Sequence, residues 1–95
     1  MKLAIHFALL GALFVSTSSL AECADADAIE SANIAAQDLL AGEVFLPGKV
    51  LKKHHPSKRK EVASYIKNIN LHYTVFSLVN QDCESKVIKR THGKY

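Results

Sequence analysis

Tryptophan is absent from this 95-residue chain, proline and cysteine occur twice each, and glycine occurs four times. A chain so short has room for one small domain, which excludes a multi-domain enzyme. No Asn-x-Ser/Thr triplet is present, so no N-glycan is expected. No apolar run reaches the roughly 20 residues that carry a helix across a bilayer. The longest, Leu3 to Val15, follows Met1-Lys2 and precedes Ser16-Thr17-Ser18-Ser19-Leu20-Ala21. A charged start, a compact apolar stretch and a small-residue exit form the pattern of a secretory signal peptide, with cleavage expected after Ala21. The expected product is secreted, extracellular or periplasmic. A lipoprotein is not expected, because Glu22 precedes Cys23 where a small residue is needed. The expected organisation is a signal peptide over 1–21, a single small disulfide-stapled domain over 22–90 and a flexible tail over 91–95.

A domain this small buries a modest fraction of its surface and needs a staple. Cys23 and Cys83 are the only candidates. In an oxidising compartment both are expected to be oxidised. An internal bond closes a loop of about 60 residues and contributes roughly 4 kcal/mol through the unfolded state. The alternative is intermolecular pairing into a disulfide-linked dimer. The staple argument favours the internal bond and a monomer.

Positive charge is missing from residues 22–48, which hold Glu22, Asp25, Asp27, Glu30, Asp38 and Glu43 and no Lys or Arg. Residues 49–95 reverse this, with eleven Lys and Arg against Glu61, Asp82 and Glu84. The small net charge of +3 therefore hides two opposed halves. The cations concentrate in Lys49, Lys52, Lys53, Lys58, Arg59 and Lys60, around His54-His55-Pro56. Such a cluster is either solvated loop charge or a site for an anionic glycan, an anionic membrane or an acidic protein surface. Nucleic acid is not an expected partner, since no aromatics interleave with the cations to stack bases. Lys52-Lys53, Lys58-Arg59-Lys60 and Lys89-Arg90 also read as dibasic processing sites, with plain surface charge as the alternative.

Residues 25–41 are rich in Ala and predict a helix. Asp27 with Glu30 three residues later has the form of a capping box, and Gly42 stands where a left-handed stop belongs. A helical wheel gathers Ile29, Ala32, Ala36, Leu39 and Leu40 on one side, with Ile34 off the stripe. Val44 to Leu46 is a short apolar run closed by the turn signal Pro47-Gly48, and Lys49 to Lys53 reads as an exposed strand. Residues 58–68 read as a strand on topology and as a helix on local propensity. Residues 70–79 read as a strand, because β-branched and aromatic side chains dominate there and Ala, Glu, Lys and Gln are missing. Asn80-Gln81-Asp82 reads as a turn and Lys86 to Lys89 as a returning strand. The sum is an α+β fold, one N-terminal helix packed on a small antiparallel sheet. The alternative is an all-α disulfide-linked dimer.

No catalytic residues are expected. Cys83 near His72 or His92 has the elements of a thiol nucleophile, but a secreted chain with two cysteines more commonly joins them. No cofactor and no metal are expected either. His54 and His55 are adjacent, which on a strand sends their rings to opposite faces, and no spacing matches a zinc site.

The order of elements resembles the cystatin fold, a helix followed by an antiparallel sheet that wraps it. The residues that carry the resemblance are Leu39-Leu40-Ala41-Gly42 at the helix end, the strand Lys49-Val50-Leu51, and Tyr73 to Val79 followed closely by Cys83. The resemblance spans about residues 25–88. It implies a small binding protein, with papain-like cysteine proteases as the implied partner and inhibition as the implied activity. Cystatins insert a wedge of three parts: a Gly before the helix, a Gln-x-Val-x-Gly hairpin and a Pro-Trp turn in a second hairpin. The resemblance places the first hairpin at Ile66, Lys67, Asn68, Ile69 and Asn70, where Ile66 replaces the Gln and Asn70 the closing Gly. No Gly lies between residues 22 and 41 and no Trp exists, so the scaffold is implied more strongly than the activity. The other functional expectation, from a different class, is a cationic host-defence or surface-binding protein acting through residues 49–60.

Overall fold

The computed structural model describes residues 22–95, and the signal-peptide reading of 1–21 lies outside the described residues. Helix α1 spans Asp25–Leu40, and four strands follow: β1 Glu43–Lys53, β2 Lys60–Asn68, β3 Leu71–Val79 and β4 Ser85–Arg90. They form one antiparallel meander in the order β1-β2-β3-β4, with the helix laid across one face. The α+β expectation therefore holds. The all-α alternative does not: within the segment 58–68, ambiguous by local propensity, Lys60–Asn68 forms the most buried strand of the sheet.

The helix approaches the sheet along Ala28, Ala32 and Ala36, each fully buried and spaced by four residues. Small side chains at these positions leave the sheet to supply the bulk. Val62 and Val79 pack with Ala28, Ala32 and Cys23, while Ile66 and Val75 pack with Ala36. Ser64 and Ser77, also fully buried, lie on the same inner face. This close approach corrects the expected stripe. Leu39 shares the side of the alanines but is exposed, since it lies in the last turn beyond Ala36, the last buried helix residue; Ile34 is exposed off the stripe.

The helix starts at Asp25 as expected, but neither predicted cap holds. Ala24, without a side-chain cap, precedes the first turn, so Asp27 lies inside the helix and the Asp27-Glu30 box does not cap it. The entry point is set by long-range ties on Cys23 and Asp25, described below. Asp25 and Asp27 still favour the positive end of the helix dipole. At the other end Ala41, at φ 51°, takes the left-handed position expected of Gly42. Gly42 serves a different purpose: a Cβ there would sit 2.6 Å from the Lys67 carbonyl oxygen and 2.7 Å from Ile66 Cγ2.

Pro47-Gly48 does not end a strand. It lies inside β1, where the register against β2 slips between Val44 and Leu46, between Leu46 and Lys49, and between Val50 and Lys52. β1 is an edge strand, and the missing N–H of Pro47 is tolerated at such an irregularity. Gly48 lets the helix close in, since a Cβ there would stand 2.9 Å from Ile29 Cγ2. The C-terminal residues, expected as a flexible tail, continue the pairing: Lys94 bridges His72, and the Thr91 N–H donates to the Thr74 carbonyl at 3.0 Å.

Candidate functional site

Strand order fixes which loops share an end. Lys53 lies opposite Lys60, and Val79 lies opposite both Lys60 and Ser85, so the loops 54–59 and 80–84 emerge side by side. The chain before the helix joins them there. Cys23 is bonded to Cys83, 60 residues away in sequence, with a Cα–Cα distance of 5.2 Å. The bond is the internal staple of the fold. It is compatible with an oxidising environment.

Charge adds to the tie. Lys60, only 6 % exposed, donates from Nζ to the Cys23 carbonyl and to Asp25 Oδ1, both at 2.6 Å. Lys53 Nζ donates to Glu22 Oε1 at 2.6 Å. That hydrogen bond, with the ammonium charges of Lys53, Lys60 and Lys58, holds the Glu22 carboxyl below its ordinary value despite some opposing desolvation. Glu22 and Asp25 at the helix entry thus meet Lys53 and Lys60 of the basic half.

Each loop is also closed on itself. The His54 N–H donates to the Arg59 carbonyl and the Lys58 N–H to the His54 carbonyl, both at 2.8 Å, with Lys58 at φ 62°. In the second loop Asn80 Oδ1 accepts the backbone N–H of Asp82 and of Glu84, both at 2.9 Å, an Asx-type turn. The Ser31 hydroxyl reaches across from the helix to donate to the Cys83 carbonyl at 2.7 Å. Between the loops runs a polar groove of about 330 Å³, lined by Ser57, Arg59, Asn80, Gln81 and Asp82. Three chain segments with three different sequence addresses form one presented end.

The sequence-predicted contact residues lie elsewhere. Ile66 is fully buried in the core, and Lys67 and Asn68 belong to β2. The Asn68 amide donates to the Leu40 carbonyl, satisfying a free acceptor at the helix terminus. Only Ile69 and Asn70 project, as a two-residue turn at the opposite end of the sheet from the disulfide. The predicted cationic cluster divides between sheet and loop. Lys53 and Lys60 are ion-paired, Lys49 and Lys52 stand on the sheet, and Lys58 and Arg59 remain together on the loop. Gln81, Asp82 and the residues before the helix join the stapled end without having been singled out in the sequence, and the signal for that was the cysteine spacing, which brings residue 23 to residue 83. No protein-family model, no curated protein and no solved structure matches the chain.

Proposed function

We propose that this is a small secreted cystatin-like binding protein that inserts its stapled end into a cleft of a protein partner, with papain-like cysteine proteases as the partner class. One observation carries the reading: the segment before the helix and the two loops 54–59 and 80–84 are held at one end by the disulfide and the Lys53–Glu22 pair. A wedge of three parts, one of them before the helix, needs that arrangement. It assigns the contact to 54–59 and 80–84 in place of 66–70. The presented side chains are Lys58, Arg59, Gln81 and Asp82, all exposed, and none reproduces a Gln-x-Val-x-Gly or Pro-Trp element. The partner cleft is therefore one that accepts polar and cationic groups.

Titration of the oxidised protein against papain tests the reading. Inhibition at micromolar concentration is expected, weakened at least about tenfold by Arg59→Glu combined with Gln81→Lys. Substitution of Ile69 at the far end is expected to leave it unchanged. Absence of inhibition at that concentration removes papain as a target, and loss on changing Ile69 alone returns the contact to residues 66–70.

A further inference from the structure

The side of the sheet away from the helix forms a second surface. In β2 the side chains of Val62, Ser64 and Ile66 face the helix, so Glu61, Ala63, Tyr65 and Lys67 face outward. Opposite them on β3 stand Leu78, Phe76, Thr74 and His72. On the flanking strands the same rows bring Leu46, Lys49 and Lys52 from β1 and Lys86 and Lys89 from β4. The Phe45 ring lies 4.7 Å from that of His72 and 6.5 Å from that of Tyr65, which puts it on this face as well.

The rows sort by chemistry. Phe45, Leu46, Tyr65, Phe76 and Leu78 form an apolar band across the middle, over an Ala63 that is 1 % exposed. Lys49 and Lys52 flank it on one edge, Lys86 and Lys89 on the other, and Lys67 stands at the hairpin end. Lys89 Nζ lies 4.9 Å from the Phe76 ring centroid, a cation held against the band. A cleft of about 550 Å³ opens beside the band between the β1 irregularity and Tyr65, with Lys49 at its lip. Against five lysines the face sets only Glu43 and Glu61, and none of the five is ion-paired among the described residues. The carboxylates gather on the other side of the molecule, where Asp27, Glu30 and Asp38 lie exposed on the helix.

We propose that the outer sheet face is a docking surface for an anionic phospholipid bilayer. Charge complementarity selects the occupant and orients it: the lysine rims meet anionic headgroups, and the acidic helix points away from them. The apolar band, with the phenol of Tyr65 and the cations at its margins, matches the headgroup–acyl boundary, where amphipathic rings reside. A polyanionic glycan would engage the rims and leave the band uncovered. Among the described residues no helix is long and apolar enough to cross a membrane, so the contact is peripheral. This face differs from the stapled end, so vesicle binding and papain inhibition fail or succeed independently.

Sedimentation of the oxidised protein with vesicles of phosphatidylserine and phosphatidylcholine, against phosphatidylcholine alone, tests the proposal. Binding is expected only with phosphatidylserine present, and it falls as salt rises. Replacing Lys49 and Lys89 by Glu is expected to lower partitioning at least about 25-fold, near fivefold for each cation removed before the added negative charge counts. Replacing Lys58 on the loop by Glu changes it about twofold or less. Since the chain has no Trp, Leu46→Trp gives a single reporter whose emission shifts to the blue on phosphatidylserine vesicles, whatever the fate of the lysine variants. Three results overturn the proposal: no phosphatidylserine-dependent binding, with or without retention on heparin; loss in the loop variant as large as in the sheet variant; or an emission spectrum of the Leu46→Trp variant unchanged by bound vesicles.

Discussion

The two ends of the sheet are held by different means. At one end three segments far apart in sequence meet through a disulfide, a buried lysine and an exposed ion pair. At the other, β2 turns directly into β3 over Ile69-Asn70, and the helix terminus docks through the Asn68 amide and the close approach of Gly42. The difference follows from loop-closure entropy. Joining residues 60 apart is unfavourable and needs strong cross-links, whereas a two-residue turn between paired strands is local. The distant end consequently carries the polar loops available for binding, and the local end can accommodate a residue in an unfavourable conformation.

Cutting the staple tests this contrast with the largest effect. Replacing Cys23 and Cys83 by Ser is expected to lower the unfolding free energy by about 4 kcal/mol, measured by urea unfolding of the oxidised protein and the variant. A domain of this size has little more stability than that to lose. A loss below about 1 kcal/mol, no more than one net hydrogen bond contributes, would break the comparison.

The same contrast separates what was legible in the sequence from what was not. β3 was readable because alternation and β-branched composition agree from Leu71 to Val79, and the helix because Ala dominates residues 25–41. Its register was not. Cys23 and Asp25 are tied to residues 83 and 60, and those ties override the local cap signal at Asp27. Pro47-Gly48 misled because an edge strand absorbs a residue pair that a central strand would reject. The stapled end was not legible for a related reason. Each loop is recognisable alone, but that 22–24, 54–59 and 80–84 share an end depends on strand order and on a pairing 60 residues long. Within the cationic cluster, Lys53 and Lys60 meet carboxylates some 30 residues earlier, a pairing beyond any local window.

At the local end Ile69 is 84 % exposed and sits at φ 57°. For a β-branched residue that region is strongly disfavoured, while Asn enters it readily. Ile69→Asn removes an apolar side chain that contacts little and relieves the conformation. It is expected to stabilise the protein by about 1 kcal/mol in the same unfolding measurement. A decrease would mean that the isoleucine packs on something the turn geometry does not reveal, and the two ends would then be alike in needing long-range support.

The smallest effect concerns the ion pair that supplements the staple. Hydrogen bonding from Lys53 lowers the folded pKa of Glu22 below its ordinary 4.5, and a group depressed on folding stabilises only while it is ionised. Its contribution is complete above pH 4.5 and disappears as pH falls through the lowered folded value. Glu22→Gln abolishes that dependence. The stability difference between wild type and variant should be constant near neutrality, shrink below pH 4.5 and shrink again with added salt, because the pair is partly exposed. Denaturant midpoints of the two proteins across the acid range measure it. If the difference persisted at the acid limit, Glu22 would be holding the end by packing. The pre-helix segment would then keep its place through contact, the disulfide and the Lys60–Asp25 pair, with the charges of Lys53 and Glu22 contributing nothing to that end.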